Sequence, residues 1–297
     1  MAEIKLSSDE LQVNQIRIHY RAAGPANGEP VVLLHGFPEF WYGWRNQIPA
    51  LAAAGYRVIV PDQRGYNVSS KPRQIRQYDL DLLAGDVIGL IDSLGFERVH
   101  LAGHDWGAAV AWWVAMHHSS RVKRLAILNV PHPHVMIPNI LHKPSQRRKS
   151  WYIFFFQLPL LPEFVLSMKG HRIASSLLRR SSLPGSFSQE DIARYREAWS
   201  QPGAWNGMIN WYRAARRRTF GKLPPTRVQP PVLIIWGKND GALESEMAEQ
   251  SLEYCRDGQL KFVPDATHWV QHDAVDRVNT WLVNFFSARD LPIDFDQ

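Results

Sequence analysis

Apolar positions along the 297-residue chain fall into two rhythms. Val31–Leu34, Arg57–Val60, Val99–Leu101, Leu125–Val130, Val232–Trp236 and Leu260–Val263 are short, β-branched and nearly continuous, as strands buried on both faces are. Between them Trp44–Ala54, Leu80–Leu94, Trp106–His117, Glu244–Tyr254 and Val275–Phe286 repeat apolar residues at helical spacing. Leu11–Tyr20 alternates and reads as one antiparallel edge strand. Strand–helix alternation predicts an α/β fold, a mostly parallel sheet with helices on both faces. The rhythm lapses between Val130 and Val232.

Charge changes where the rhythm does. Residues 131–228 hold 16 Lys+Arg against 4 Asp+Glu, while the rest hold 18 against 24. The net +6 is therefore a basic insert on an acidic body. The insert carries Arg147-Arg148-Lys149, Arg179-Arg180 and Arg216-Arg217-Arg218, and leaves through Pro224-Pro225 and Pro230-Pro231. Such shifts mark subdomain boundaries, giving a core of residues 1–130 and 229–297 around an insert of residues 131–228. The arginines scatter around an aromatic-rich segment with no nucleic-acid motif, so no nucleic-acid partner is expected. Their excess suits packing on the acidic body, or attraction of amphipathic substrates with a carboxylate.

A single cysteine, Cys255, excludes a disulfide scaffold and suits a reducing compartment. No Cys/His spacing makes a zinc site, no apolar run spans a bilayer, and the first residues hold no signal-peptide core. A cytoplasmic protein without membrane insertion, metal or cofactor is expected.

In an open α/β sheet the chemistry gathers at the carboxyl ends of the strands. Val99–Leu101 runs into Gly103-His104-Asp105-Trp106-Gly107 and then a helix, a nucleophile elbow with aspartate where many hydrolases place serine. The glycines suit a strained turn packed closely on its neighbours, and the helix N-terminus favours an ionised carboxylate. An aspartate there also suits a plain helix cap. Three further segments favour chemistry. His35-Gly36-Phe37-Pro38 follows Val31–Leu34, so the Phe37 and Trp106 amides can converge as an oxyanion hole. Pro38 makes the 37–38 peptide bond a candidate for the cis form. Asp240 follows Val232–Trp236 and His268 follows Leu260–Val263, giving the order nucleophile, acid, histidine. His35 reads as a loop organiser; His104, His117, His118, His132, His134 and His142 read as ordinary polar residues.

A carboxylate nucleophile suits displacement at saturated carbon better than acyl transfer. Asp105 would form an alkyl ester, hydrolysed by water that His268 activates while Asp240 orients the imidazole. An epoxide oxygen and a halide are both suitable leaving groups.

His35-Gly36-Phe37-Pro38-Glu39, Trp41-Tyr42, Trp44-Arg45, Gln47–Leu51, Asp62, Arg64-Gly65-Tyr66, Ser69-Ser70 and Gly103–Gly107 resemble the soluble epoxide hydrolases. The likeness extends to the hydrolase domain of the vertebrate enzymes and to single-domain plant and bacterial relatives. It spans nearly the whole chain and is densest over residues 30–132. It implies an α/β-hydrolase fold with an eight-stranded, mostly parallel sheet and a helical cap, converting an epoxide and water to a vicinal diol. Two cap tyrosines would donate to the epoxide oxygen. Trp151–Gln157 resembles the first cap segment and places one phenol at Tyr152; Asn210–Arg213 resembles the second and places the other at Tyr212. Tyr195 is a possible decoy. Phe37, Trp106, Trp151, Phe154, Phe155, Phe156, Trp211 and Trp269 are the expected apolar pocket residues, with some packing the cap alone. A hydrophobic epoxide and a homodimer are the expected partners.

Two departures stand out. Asn67 replaces a turn glycine but tolerates positive φ. Thr267 precedes the base where relatives often carry glycine, leaving room for His268 to shift. The nearest alternative is a haloalkane or haloacid dehalogenase with the same aspartate–histidine–aspartate logic and the Trp106 indole donating to halide. Phe37, where haloalkane dehalogenases resemble one another in carrying asparagine, and the two tyrosines count against it. An anion- or nucleic-acid-binding module on the basic insert is more distant.

Overall fold

A computed structural model describes residues 5–217 and 227–287; Arg218 and Pro224-Pro225 lie outside the described residues. The chain runs β1 (Ser7–Val13), β2 (Ile16–Ala23), β3 (Pro30–Leu34), α1 (Gln47–Ala53), β4 (Arg57–Pro61), α2 (Leu80–Ser93), β5 (Val99–His104), α3 (Trp106–His117) and β6 (Val122–Leu128). Six helices follow: α4 (Pro133–His142), α5 (Pro144–Lys149), α6 (Trp151–Phe155), α7 (Leu161–Arg180), α8 (Gln189–Trp199) and α9 (Ala204–Arg217). Then come β7 (Val232–Gly237), α10 (Glu246–Leu252), β8 (Gly258–Val263), α11 (Val270–Asp273) and α12 (Val275–Phe286).

The eight strands form one sheet in the order β1-β2-β4-β3-β5-β6-β7-β8, antiparallel at β1–β2 and β2–β4 and parallel thereafter. The continuous apolar runs are its centre: every residue of β5 and β7 is buried. Such strands lose apolar surface on both faces, about 1.5–3 kcal/mol for each fully buried Val, Leu or Ile.

The expected single edge strand over Leu11–Tyr20 is instead a hairpin. Asn14 takes a positive φ of 54° between β1 and β2, and Val13 pairs with Ile16. The alternation is that of paired strands, but asparagine's tolerance of the left-handed region turns the chain back. Likewise β6 stops at Leu128 because Asn129 has φ 51°.

All six helices α4–α9 lie in the basic stretch between β6 and β7. Helix α9 of this insert is pressed against the body, and an added Cβ at Gly207 would sit 2.6 Å from the Gly65 carbonyl oxygen, so only glycine permits that approach. Helix α8 begins with a reciprocal capping box between Ser188 and Asp191. Asp191 also accepts from the Tyr42 hydroxyl at 2.9 Å and pairs with Arg45 at 3.0 Å, tying the insert to the body. Helix α7 is interrupted at Met168–His171, where Lys169, Gly170 and His171 are left-handed.

Candidate active site

The elbow between β5 and α3 holds Asp105 at φ 48°, ψ −124°. The reason for the flanking glycine is steric: a Cβ on Gly107 would lie 2.1 Å from the Leu34 carbonyl oxygen. Asp105 makes no side-chain cap to α3, which removes the plain helix-cap reading. Its Oδ1 instead accepts the Phe37 amide at 2.7 Å. Phe37 sits after β3 and before a cis peptide bond to Pro38. Trp106 opens α3, where no preceding helical carbonyl exists for its amide.

His268 lies between two carboxylates. Its Nδ1 is 2.7 Å from Asp240 Oδ2 and its Nε2 is 3.4 Å from Asp105 Oδ2. Asp240 Oδ1 accepts the Ala242 and Leu243 amides at 2.7 and 2.9 Å. Thr267 does not dislodge the histidine, because its amide and hydroxyl are both held by Asp273 Oδ2.

Two phenols from the insert face this centre. The Tyr212 ring stands 5.0 Å from Trp106, 5.3 Å from Phe37 and 6.0 Å from Tyr152. Burial, then the negative charge of Asp105, raises the pKa of each phenol, so both remain protonated donors. Tyr195 is elsewhere: its hydroxyl donates to Glu39 Oε1 at 2.6 Å.

An alpha/beta hydrolase fold family model matches residues 29–275. The AB hydrolase superfamily protein YfhM of Bacillus subtilis is 44% identical over 93% of this chain and 96% of that one. Epoxide hydrolase 2 of Caenorhabditis elegans is 38% identical, covering 93% of this chain and 79% of its own. Among solved structures, an inhibitor complex of Bacillus megaterium epoxide hydrolase superposes with a TM-score of 0.86 at 27% identity, covering 94% of this chain and all of that one. The chain belongs to the epoxide hydrolase family of α/β hydrolases.

The hydrolase departs from several pocket expectations. Trp151 is 62% exposed and Phe154 is 55% exposed. Helix α6 and the C-cap residue that follows it turn Tyr152 and Phe156, four residues apart, toward Tyr212, which sends Trp151 and Phe154 outward. Phe156 is buried instead, 5.2 Å from Phe37 and 4.8 Å from Tyr212. Phe155 packs partly exposed on Phe156. Trp211 fills the seam between insert and body, donating to the Arg64 carbonyl at 2.9 Å and backing Trp106. Trp269 packs on His104 and His268 and donates to Ser181 Oγ.

Supporting residues of the hydrolase were also missed. Asn129 donates to Asp240 Oδ2 at 2.8 Å and accepts the Gly237 amide at 3.0 Å. Its signal was a lone polar residue within the apolar run Leu125–Val130. His104 is more than an ordinary polar residue: its Nε2 donates to the His268 carbonyl at 2.8 Å, while Nδ1 lies 3.0 Å from Gln271 Nε2 and 3.3 Å from Glu39 Oε2. Buried Glu39 also accepts from His272 at 2.8 Å. Burial raises the Glu39 pKa, but His272 and His104 outweigh it and hold the carboxyl well below its ordinary value. His35 organises its loop as expected, with Nδ1 on the Gly36 carbonyl and Nε2 accepting the Gln63 amide. Asn67 takes φ 42° and donates to Asp62.

Helix α5 is stapled to the loop that carries Asp240. Lys149 donates to the Asp240 carbonyl at 2.8 Å. Gln146 donates to the Ala242 carbonyl and accepts the Glu244 amide, each at 2.9 Å.

Electrostatics divide the two acids from the base. For Asp105 and for Asp240, burial raises the pKa, but hydrogen bonds and the positive charge of His268 more than offset it, leaving both below normal. Burial lowers the His268 pKa, yet the charge of Asp240 and bonds to both carboxylates push it up to about 10. The resting imidazole is thus a cation between two anions.

Proposed function

We propose that this enzyme opens a hydrophobic epoxide through an ester on Asp105, with residues 131–228 acting as the cap. The observation that carries the reading is one carboxylate facing two protonated phenols on one side and a histidine–aspartate pair on the other. With Oδ1 held by Phe37, Oδ2 is the attacking atom. It bonds to an epoxide carbon as the carbon–oxygen bond breaks, and a proton from Tyr152 or Tyr212 passes to the leaving oxygen. The chain's own geometry supplies alignment, which is where most of such a barrier is removed.

Esterification cancels the negative charge on Asp105. His268 then loses one of its two anionic neighbours and its proton affinity falls, releasing a proton that restores the phenol. The neutral imidazole takes a proton from water as the water oxygen attacks Cγ. Charge develops on Oδ1, where the Phe37 and Trp106 amides stabilise it. The Cγ–Oδ2 bond breaks, the diol takes the proton from His268, and the new Asp105 carboxyl passes its remaining proton to the neutral imidazole, which restores both the carboxylate and the charged histidine. Asp240 keeps the imidazole oriented throughout.

A single turnover in heavy-oxygen water tests this sequence: label must enter Asp105, with the first diol carrying an enzyme oxygen. Label in the diol alone would overturn it. A cytoplasmic location accords with the lone buried Cys255, and no helix among the described residues is long and apolar enough to cross a membrane. Light scattering tests the expected homodimer.

A further inference from the structure

Exposed apolar side chains are concentrated in one part of the chain. Among the described residues nine large apolar side chains are exposed, and eight of them lie between Leu141 and Leu177. Six fall within 14 residues: Trp151, Phe154, Leu158, Leu160, Leu161 and Phe164. Leu160 is 77% exposed and holds a left-handed backbone, φ 61°, just before α7. A stretch this apolar on a water-facing surface marks an interaction site rather than scattered exposure.

Its charge identifies the partner. Residues 141–180 contain eight Lys+Arg and one acidic residue, Glu163. Glu163 is already neutralised by Arg213 at 2.6 Å. Exposed Arg147 and Arg148 precede the apolar strip, and exposed Lys169 and Arg172 follow it. Arg216 and Arg217 line a surface cavity of about 420 Å³ together with Leu160, bringing a further basic rim to the same place. Apolar side chains flanked by cations suit the boundary of a bilayer with anionic headgroups, where each part meets its complement. A two-fold contact with a second copy would face the same cationic rim with itself.

We propose that the outer face of α6 and the start of α7 docks the protein on an anionic lipid surface without spanning it. The segment from Trp151 to Phe156 then has two occupations: Trp151 and Phe154 face the lipid while Tyr152 and Phe156 pack on Tyr212. Delivery of lipophilic substrate from the bilayer rests on the proposed function, whereas docking itself does not.

Co-sedimentation with sucrose-loaded vesicles tests the docking. Vesicles with about 30% phosphatidylserine should carry down at least about tenfold more protein than pure phosphatidylcholine at low salt, and the difference should shrink as salt rises. Leu160→Asp with Phe164→Asp, and separately Arg147→Glu with Arg148→Glu, should each abolish the binding while circular dichroism and turnover of a small water-soluble epoxide stay unchanged. Vesicle binding with no epoxide turnover in any form would sustain the docking and sink the proposed reaction instead. Absence of sedimentation, equal binding to both vesicles, or a self-association that the same variants disrupt without vesicle binding would each overturn the proposal.

Discussion

The Phe37 amide holds Asp105 Oδ1 at 2.7 Å, and so distinguishes the two oxygens of a carboxylate before any substrate arrives. In the proposed reaction one oxygen is stationed where charge later develops, and the other is left to attack. Asp105→Asn keeps the shape but loses the charge, and should lower turnover by at least about 10³-fold, the order typical of losing a catalytic group. Steady-state diol formation checks it.

Removing the base should separate the two half-reactions. His268→Gln is expected to alkylate and then stall, so intact mass spectrometry should show one epoxide mass added per chain. A variant that turns over without accumulating the adduct would falsify the role given to His268.

Tyr212→Phe and Tyr152→Phe should slow alkylation, each by roughly 10²-fold in line with loss of a positioned acid, and the double variant by much more. Pre-steady-state quenching of Trp fluorescence follows the step. Unchanged alkylation in both single variants is compatible only with mutual substitution, so the double variant decides.

The raised His268 pKa has a signed consequence for stability. A group whose folded pKa rises from 6.5 to about 10 stabilises the fold fully below the lower value and loses that contribution as pH climbs through the upper one. The melting temperature should therefore fall between neutral pH and about 10 more steeply in the wild type than in His268→Gln. Nuclear magnetic resonance of the imidazole should also show its titration moving down in Asp105→Asn; no movement would contradict the ion-pair account.

Asn129→Ala removes the donor to Asp240 and leaves the buried Gly237 amide without its side-chain acceptor. A buried group left unsatisfied costs about 1–3 kcal/mol, so denaturant unfolding should shift by that order. Diol formation should fall as Asp240 loses its fixed position.

The sheet was legible because its central strands are continuous apolar runs, which no surface element can afford to be. Asp105, Asp240 and His268 were legible as a candidate set because each stands just past such a run, and the fold brings their side chains together. The Leu11–Tyr20 hairpin was not, since alternation persists across a two-residue turn and only Asn14 marks the reversal. Trp151 was misplaced for a related reason. Five consecutive helical residues rich in aromatics give no sequence contrast between inner and outer faces, so the facing is set by Tyr212 on a helix some sixty residues away. Glu39, His104 and Asn129 support the site through bonds to distant segments, and sequence spacing does not encode those meetings.

The staples from Gln146 and Lys149 to the 240–244 loop make the entrance of the insert and the acid's loop a single mechanical piece. Levering that end open to admit a bulkier molecule would drag Asp240 away from His268. Breadth of substrate is therefore better sought by trimming side chains on α6 and α9 than by loosening α5, and engineering that rigidifies α5 should leave selectivity intact while protecting the alignment on which turnover depends.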